Sequence, residues 1–360
     1  MEKIKVGIIG CGGIANGKHL PTLAKMPEVE LVAFCDLIPE RAEEAAKKYG
    51  APGAKCYTDY HELLADPAID NVRVLTQNRG HCRITVDALN AGKHVLCEKP
   101  MSITSAEAQE MIDARDRNGK VLAIGYQHKF DPDVIYVKQD AEKGAFGEIY
   151  HAKCRVLRRR GVPTWGVFTN AEESGAGPLF DIATHALDAL LYMMDNYEPR
   201  MVLGVTYDKL KDLPDGTNPF GNWKPEEFTV EDSAFGFIVM KNGASIILEC
   251  SWLLNTMEAT GVKYLLCGTK AGADNFDGRL RINSTNNARL TETYPDPSAG
   301  GVSFFEGKSQ SNTDLEARNF FDAIAGKAEL VNTPERGKVV TDILEAIKRS
   351  SETGKAVCFD

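Results

Sequence analysis

The sequence predicts an α/β protein in two parts, a doubly wound parallel sheet over residues 1–125 and a second α/β domain over residues 126–360 built on an antiparallel or mixed sheet. Three observations carry this reading. Short apolar runs alternate with amphipathic stretches through the first 125 residues, the pattern of strands joined by crossover helices. Those runs are apolar throughout rather than at every second position, as expected of strands covered on both faces. Past residue 126 the alternation stops, and strand-like runs follow one another on tight turns, which favours antiparallel pairing.

Taken in order, the apolar runs Ile4–Gly10, Val29–Cys35, Val72–Thr76, His94–Cys97 and Val121–Ile124 read as strands. Helix-like segments lie between and after them, near 14–25, 39–49, 59–65, 80–91 and 104–119. A helix over 131–143 then leads to a strand near 148–158, a loop rich in Gly, Pro and Arg, and a helix over 182–194. Strand-like runs follow near 201–206, 229–240, 244–254 and 262–268, with Lys241-Asn242-Gly243 as a hairpin turn. The polar stretches 207–228 and 291–312 read as loops. Helices near 313–325 and 335–352 close the chain, and the C-terminal helix is expected to pack back on the first domain.

Composition excludes several classes of function. A net charge of −9 disfavours nonspecific binding to nucleic acid or anionic lipid. No run of 18 apolar residues offers a membrane span. The N-terminal MEKIKVGIIGCGG breaks into glycines after a short apolar run, with no cleavage site, and reads as a strand rather than a signal peptide. Nine cysteines form no C-x-x-C pair and no Cys/His ligand spacing, so no metal site is expected. Cys11, Cys35 and Cys97 sit at apolar runs as buried thiols, and a reducing cytoplasm is the simplest setting.

The first chemistry-bearing motif is Gly10-x-Gly12-x-x-Ala15, which follows a strand and opens a helix. The first glycine permits a tight turn, the second lets the backbone approach a pyrophosphate, and the small third residue lets helix and strand pack closely. Gly13 and Ile14 lie inside the turn, whose free N–H groups and helix dipole suit phosphate. Asp36, directly after the second apolar run, can hydrogen-bond both ribose hydroxyls of NAD and repel a 2′-phosphate; its blander role is to cap the next helix. Arg41 is the one nearby cation that could meet a 2′-phosphate, but it lies within the next helical pattern. The cofactor is therefore read as NAD, with NADP the weaker alternative, on a Rossmann domain.

Two longer motifs identify the chain more closely. Ala91-Gly-Lys-His-Val-Leu-Cys-Glu98-Lys99-Pro100 resembles the A-G-K-H-V-x-x-E-K-P signature of the glucose–fructose oxidoreductase / inositol dehydrogenase / MocA family. Gly177-Pro-Leu-Phe-Asp181-Ile-Ala-Thr-His185-Ala-Leu-Asp188 is similar to that family's G-x-x-x-D-x-x-x-H motif. The Thr76…Asn78…His81 region and the stretch from Thr333-Pro334-Glu335 to Thr353-Gly354 extend the resemblance over nearly the whole chain. It implies a C-terminal domain on a large, open, mostly antiparallel sheet. It also implies hydride transfer at a secondary alcohol of a sugar, cyclitol or glycoside, and a homodimer or homotetramer packed through that sheet.

Carried over residue by residue, the resemblance makes Lys99, Asp181 and His185 the candidate catalytic residues. A base must reach the hydroxyl proton as hydride leaves, and His185 suits that role, with Asp181 beside it to bind a hydroxyl or orient the group. Lys99 would polarise the reacting oxygen; whether Lys99 or His185 carries the proton is open in the sequence. Simpler readings exist: a solvated loop lysine, an N-capping Asp181 and a core histidine. Glu98 is expected to fix its loop near the cofactor, and Pro100 is a candidate cis position that would aim Lys99. Thr76, Asn78 and His81 are candidates for the nicotinamide side, although Asn78 could equally start a helix. Here the chain departs from the family, with Gln77 where proline is usual, and Arg73 places a charge inside an apolar strand, costly unless paired.

On the substrate side Tyr126, Gln127 and Lys129 are expected to line the cleft. Arg158, Arg159 and Arg160 form either a solvated or subunit-bridging patch or a site for sugar hydroxyls, with Trp165 a platform for a pyranose face. Two rival functions keep the same fold: a glycosidase that retains NAD through transient oxidation and elimination, and a non-catalytic NAD-binding regulator. The intact Lys99, Asp181 and His185 argue against the second.

Overall fold

Six parallel strands make the first sheet: β1 (Ile4–Ile9), β2 (Val29–Cys35), β3 (Lys55–Tyr57), β4 (Asn71–Val74), β5 (His94–Glu98) and β6 (Leu122–Gly125). Their spatial order is β3-β2-β1-β4-β5-β6, so the chain reverses direction across the sheet between β1 and β4. That reversal opens a crevice at the carboxyl ends of the two strands, where ligands bind in doubly wound sheets. The structure is a computed structural model and describes residues 3–295 and 310–359. These divide into two compact units, one running through Gln127 and taking in Gln310–Lys338, the other running from His128 and taking in the chain from Val339 on.

The strands form where the sequence is continuously apolar because both faces of this sheet are covered. Val6, Ile8, Leu31, Phe34 and Leu96 share one core with Ala317, Phe320 and Phe321 of the helix Asn312–Ile324. The helix before the last thus joins the core of the first unit, and the last helix begins there too, an added Cβ at Gly337 falling 3.1 Å from Ile124 and 3.3 Å from Met101. A capping box at Ser311 and Asp314 starts the helix Asn312–Ile324. The short β3 gave no apolar signal because it is a three-residue edge strand with two of its residues exposed.

The second unit carries a nine-stranded sheet: β7 (Ile149–Leu157), β8 (Pro199–Tyr207), β9 (Ser233–Met240), β10 (Ser245–Ser251), β11 (Lys263–Gly268), β12 (Ala271–Asp274), β13 (Arg281–Asn286), β14 (Arg289–Thr293) and β15 (Val357–Cys358). Among the described residues of this sheet, only the β7–β10 pair is parallel. The Lys241-Asn242-Gly243 turn joins β9 to β10, with Gly243 at φ 90°, a conformation that glycine adopts freely. β14 occupies the start of the stretch expected to be loop, and residues 296–309 of that stretch lie outside the described residues. The last helix, Pro334–Thr353, seats Ile347 against Gly204 of β8 and Gly236 of β9, where an added Cβ would fall 2.7 Å and 2.6 Å from the Ile347 side chain. Ser350 Oγ accepts the Gly204 N–H there at 3.0 Å.

Candidate functional site

In the first unit the glycine motif forms the turn at the end of β1. Gly10 sits at φ 93°, and a Cβ there would meet the Leu75 carbonyl oxygen at 2.6 Å, so only glycine fits. At Gly12 and Gly13 an added Cβ meets nothing within 4 Å, so the space above the turn is open. Asn16 braces the turn by donating to the carbonyls of Cys11 and Gly12 at 2.8 and 3.1 Å. The helix that follows is wide through Ala15–His19, with Ala15 fully buried against the sheet. Asp36, at the tip of β2, accepts the Cys11 N–H through Oδ2 at 2.8 Å and the Ile38 N–H through Oδ1 at 2.9 Å. It therefore ties β2 to the phosphate turn as well as shaping the start of the next helix. Arg41 stands 4.0 Å from Asp36.

Across the same edge, Thr76 and Gln77 follow β4, and Gln77 rather than Asn78 is the N-cap of the helix Asn78–Asn90. His81 is buried, with one ring nitrogen 2.7 Å from the Pro100 carbonyl and the other 3.1 Å from the Thr76 carbonyl. It holds the two loops together rather than presenting its ring to a ligand. The Lys99–Pro100 peptide is cis. Glu98 is buried and accepts the Lys99 N–H at 3.1 Å, while its other oxygen lies 3.0 Å from Lys18 Nζ and 2.7 Å from His19 Nε2. Burial alone would raise the Glu98 carboxyl; Lys18 and the His19 hydrogen bond outweigh it and hold it well below the usual carboxylate range. Lys18 and His19 are thus site residues that the sequence did not single out. Tyr126 is buried, and Gln127 accepts from Lys18 at 3.0 Å, so neither is an open wall of the first unit.

In the second unit the D-x-x-x-H motif spans a wide helical turn, Leu179–Ala183, running into the helix Thr184–Met194. From Ser174 to Leu191 every residue is buried except Asp181 and His185, which keep partial exposure. Two polar groups thus break an otherwise sealed surface. Asp181 accepts the indole N–H of the fully buried Trp252 at 3.1 Å. Glu231 fixes the preceding loop by accepting the N–H groups of Gly177 and Leu179 at 2.8 and 3.1 Å. The His185 ring lies edge-to-face with that of His128 at 5.0 Å, and His128 Nδ1 is 2.6 Å from Asp131. Lys129, expected to line a cleft, is instead buried 2.8 Å from Asp188.

The arginine-rich loop is stitched to the segment 215–221. Arg160 reaches Asp215 and Asn255 at 2.8 and 3.1 Å, Arg158 donates to the Gly161 carbonyl, and Asn218 bonds both backbone groups of Val162. Arg159 is exposed. Trp165 is 54% exposed and stands edge-to-face with Phe220 at 5.0 Å.

Residues 4–126 match an oxidoreductase family described by its NAD-binding Rossmann fold, and residues 134–274 match the GFO/IDH/MocA C-terminal domain. The chain belongs to the GFO/IDH/MocA oxidoreductase family. It is 36% identical to D-glucoside 3-dehydrogenase of Escherichia coli over 98% of this chain and 97% of that one. Inositol 2-dehydrogenase of Salmonella typhimurium is 33% identical over 53% of this chain and 55% of its own. The solved levoglucosan dehydrogenase complex with NADH and levoglucosan shares the fold, with a TM-score of 0.82 at 24% identity and 99% of both chains covered.

The chain is thus an NAD-dependent oxidoreductase of this family, and the turn fits its cofactor. The obligatory Gly10, the open space over Gly12 and Gly13, and a carboxylate at the tip of β2 are what a dinucleotide needs. Among the described residues no group of three or more His, Cys, Asp or Glu could hold a metal, and no helix is long and apolar enough to cross a membrane. If the Asp36 carboxylate also meets the ribose, Asp36→Ala is expected to weaken NADH binding by about 10–100-fold and to narrow the preference over NADPH. Fluorescence titration with both dinucleotides measures this; unchanged NADH affinity would leave Asp36 with its backbone role alone.

Proposed function

We propose that the chain oxidises a secondary ring hydroxyl of a glycoside, a glucoside being the favoured case, with Lys99, Asp181 and His185 as the reacting side chains. One observation carries the roles: Asp181 and His185 are the two part-exposed positions of an otherwise buried segment. Identity to D-glucoside 3-dehydrogenase along the full chain supports the substrate class. Bound NAD⁺ supplies the hydride acceptor. As the carbinol hydrogen leaves carbon with the electron pair of its C–H bond, the O–H proton has to go to the protein. His185 takes that proton, while Lys99 steadies charge on the reacting oxygen. Asp181, its Oδ2 held by Trp252, binds a neighbouring hydroxyl.

Screening purified protein against glucosides, free sugars and inositols, with NAD⁺ and NADP⁺, tests the reading by NADH absorbance and product analysis together. NADH formed on a glucoside supports it; cleavage of a glycoside without net NADH moves the chain to the NAD-retaining hydrolases. The same proposal includes a homo-oligomer, a dimer or tetramer, in the reducing cytoplasm. The second sheet leaves Leu203, Val205, Tyr207 and Phe237 exposed, with Leu203 and Phe237 paired across β8 and β9. All nine cysteines are free. Leu203→Lys is expected to shift the mass measured by light scattering toward a monomer; an unchanged mass places the interface elsewhere.

A further inference from the structure

One corner of the second unit holds Asp181 from two sides. The corner is Glu231-Asp232, directly before β9, and Trp252 directly follows β10. Ser233 and Ser251 pair across these two antiparallel strands, so their register brings the corner beside Trp252. The Asp232 carbonyl accepts the N–H groups of Trp252 and Leu253 at 2.9 and 3.3 Å. The Asp232 carboxylate is itself pinned, accepting the Leu210 N–H at 2.6 Å and the Ser233 hydroxyl at 2.9 Å. Trp252 thus has its backbone set by the corner, and its indole N–H donates to Asp181 Oδ2 at 3.1 Å.

The Glu231 side chain supplies the second hold. Its Oε1 alone accepts both the Gly177 N–H, at 2.8 Å, and the Leu179 N–H, at 3.1 Å, two residues before Asp181. Lys348, on the last helix, donates to the Gly175 carbonyl at 3.0 Å. The N–H groups of the loop therefore meet an acid and its carbonyl meets a cation, the stronger class of hydrogen bond at each end. The approach is close enough to dictate sequence. A Cβ at Gly177 would fall 2.3 Å from the Glu231 carbonyl oxygen, which accounts for the glycine that opens the G-x-x-x-D-x-x-x-H motif.

We propose that Glu231 is a positioning residue for Asp181, with Lys348 as its counterpart. Together they fix the loop that leads into the wide turn Leu179–Ala183, and so set where the Asp181 carboxylate stands against the Trp252 indole and against a substrate hydroxyl. The inference rests on the hydroxyl-binding role given to Asp181 in the proposed function.

Because a single oxygen makes both bonds, E231Q keeps the acceptor as an amide carbonyl, whereas E231M keeps the length and leaves two N–H groups without one. In the full-length chain with isotope-labelled tryptophan, NMR gives one indole N–H signal each for Trp165, Trp223 and Trp252. W252F identifies the Trp252 signal, and D181A marks its position once the acceptor is gone. E231M should move that signal toward the D181A position, K348M should move it the same way by less, and E231Q should leave it at the parent position. Misplacing a binding group by about 1 Å costs up to about a hundredfold in rate, so E231M should raise KM for methyl β-D-glucopyranoside about tenfold and cut kcat/KM by at least that factor. E231Q should keep both constants near the parent's, and NADH affinity should hold in both variants. A purely structural role would only reduce the number of active molecules, lowering kcat at parental KM with the indole signal unmoved. That result, or an E231Q as impaired as E231M, would overturn the inference. Should E231M fail to fold, K348M decides: a Trp252 signal at the parent position removes the loop from the placement of Asp181. A parent that oxidises no glucoside counts against the proposed function, and the indole signals still decide the positioning.

Discussion

Replacing Lys99 by alanine is expected to cut turnover by at least about 100-fold while NADH affinity stays within a few-fold of the parent, because a positioned acid or base contributes about 10²–10⁴ in rate. The side chain is the right thing to remove. What anchors this residue in the fold is its backbone: Glu98 accepts its N–H at 3.1 Å, and His81 lies 2.7 Å from the carbonyl of the next residue, Pro100. Alanine keeps both backbone contacts, so the lost rate should report the side chain itself. His185→Asn provides the companion measurement. If His185 takes the proton, that variant should lose at least as much rate, and the pH dependence of turnover should lose its lower limb. A Lys99→Ala enzyme that binds NADH normally and turns over like the parent would remove Lys99 from the chemistry. Tight NADH binding with no turnover in parent or variant would instead favour a regulator that senses the dinucleotide.

Much of the scaffold was legible because burial on both faces writes a continuous apolar signal. β1, β2, β4, β5 and β6 are such strands, and each lies where an apolar run predicts it. Strands without that burial were silent: β13 and β14 are polar and largely exposed, so β13 carries no strand signal and the end of β14 falls in the stretch read as loop. The two long motifs located Lys99, Asp181 and His185, but they say nothing of the residues that hold them. Trp252 lies 71 positions from Asp181, and Lys18 lies 80 from Glu98, which accepts the Lys99 N–H, so no local pattern links them. Arg73 was the exception, because a charge within an apolar strand is anomalous by itself and asks for a partner; it stands buried by the rings of Phe320 and Phe321, its Cζ 4.5 and 5.0 Å from their centres. Lys129 shows the opposite failure. At the opening of the second domain it reads as a cleft lysine, and only the fold reveals that its charge is spent in the interior.

That buried pairing leads to the largest expected effect on stability. Lys129 and Asp188 have essentially no side-chain exposure, with 2.8 Å between Nζ and Oδ1, and Lys129 Nζ lies 5.7 Å from the ring centre of Tyr192. Lys129→Met keeps the aliphatic bulk but strands the Asp188 carboxylate in the interior without that cation. Breaking a buried ion pair from one side costs about 3–5 kcal/mol, whereas replacing both partners with apolar groups is often neutral or stabilising. Lys129→Met should therefore lower the urea-unfolding free energy of the second unit by about that amount, and Lys129→Met with Asp188→Leu should recover most of it. The outcome also bears on catalysis, because Asp188 follows His185 by three residues on the same helix. A double variant that is stable yet slow would show that the ion pair sets the His185 ring as well as the fold. A double variant that is stable and fully active would confine the pair to holding the helix. Near-parental stability in Lys129→Met alone would mean that Asp188 takes up a proton or finds water there, and that the pair adds little.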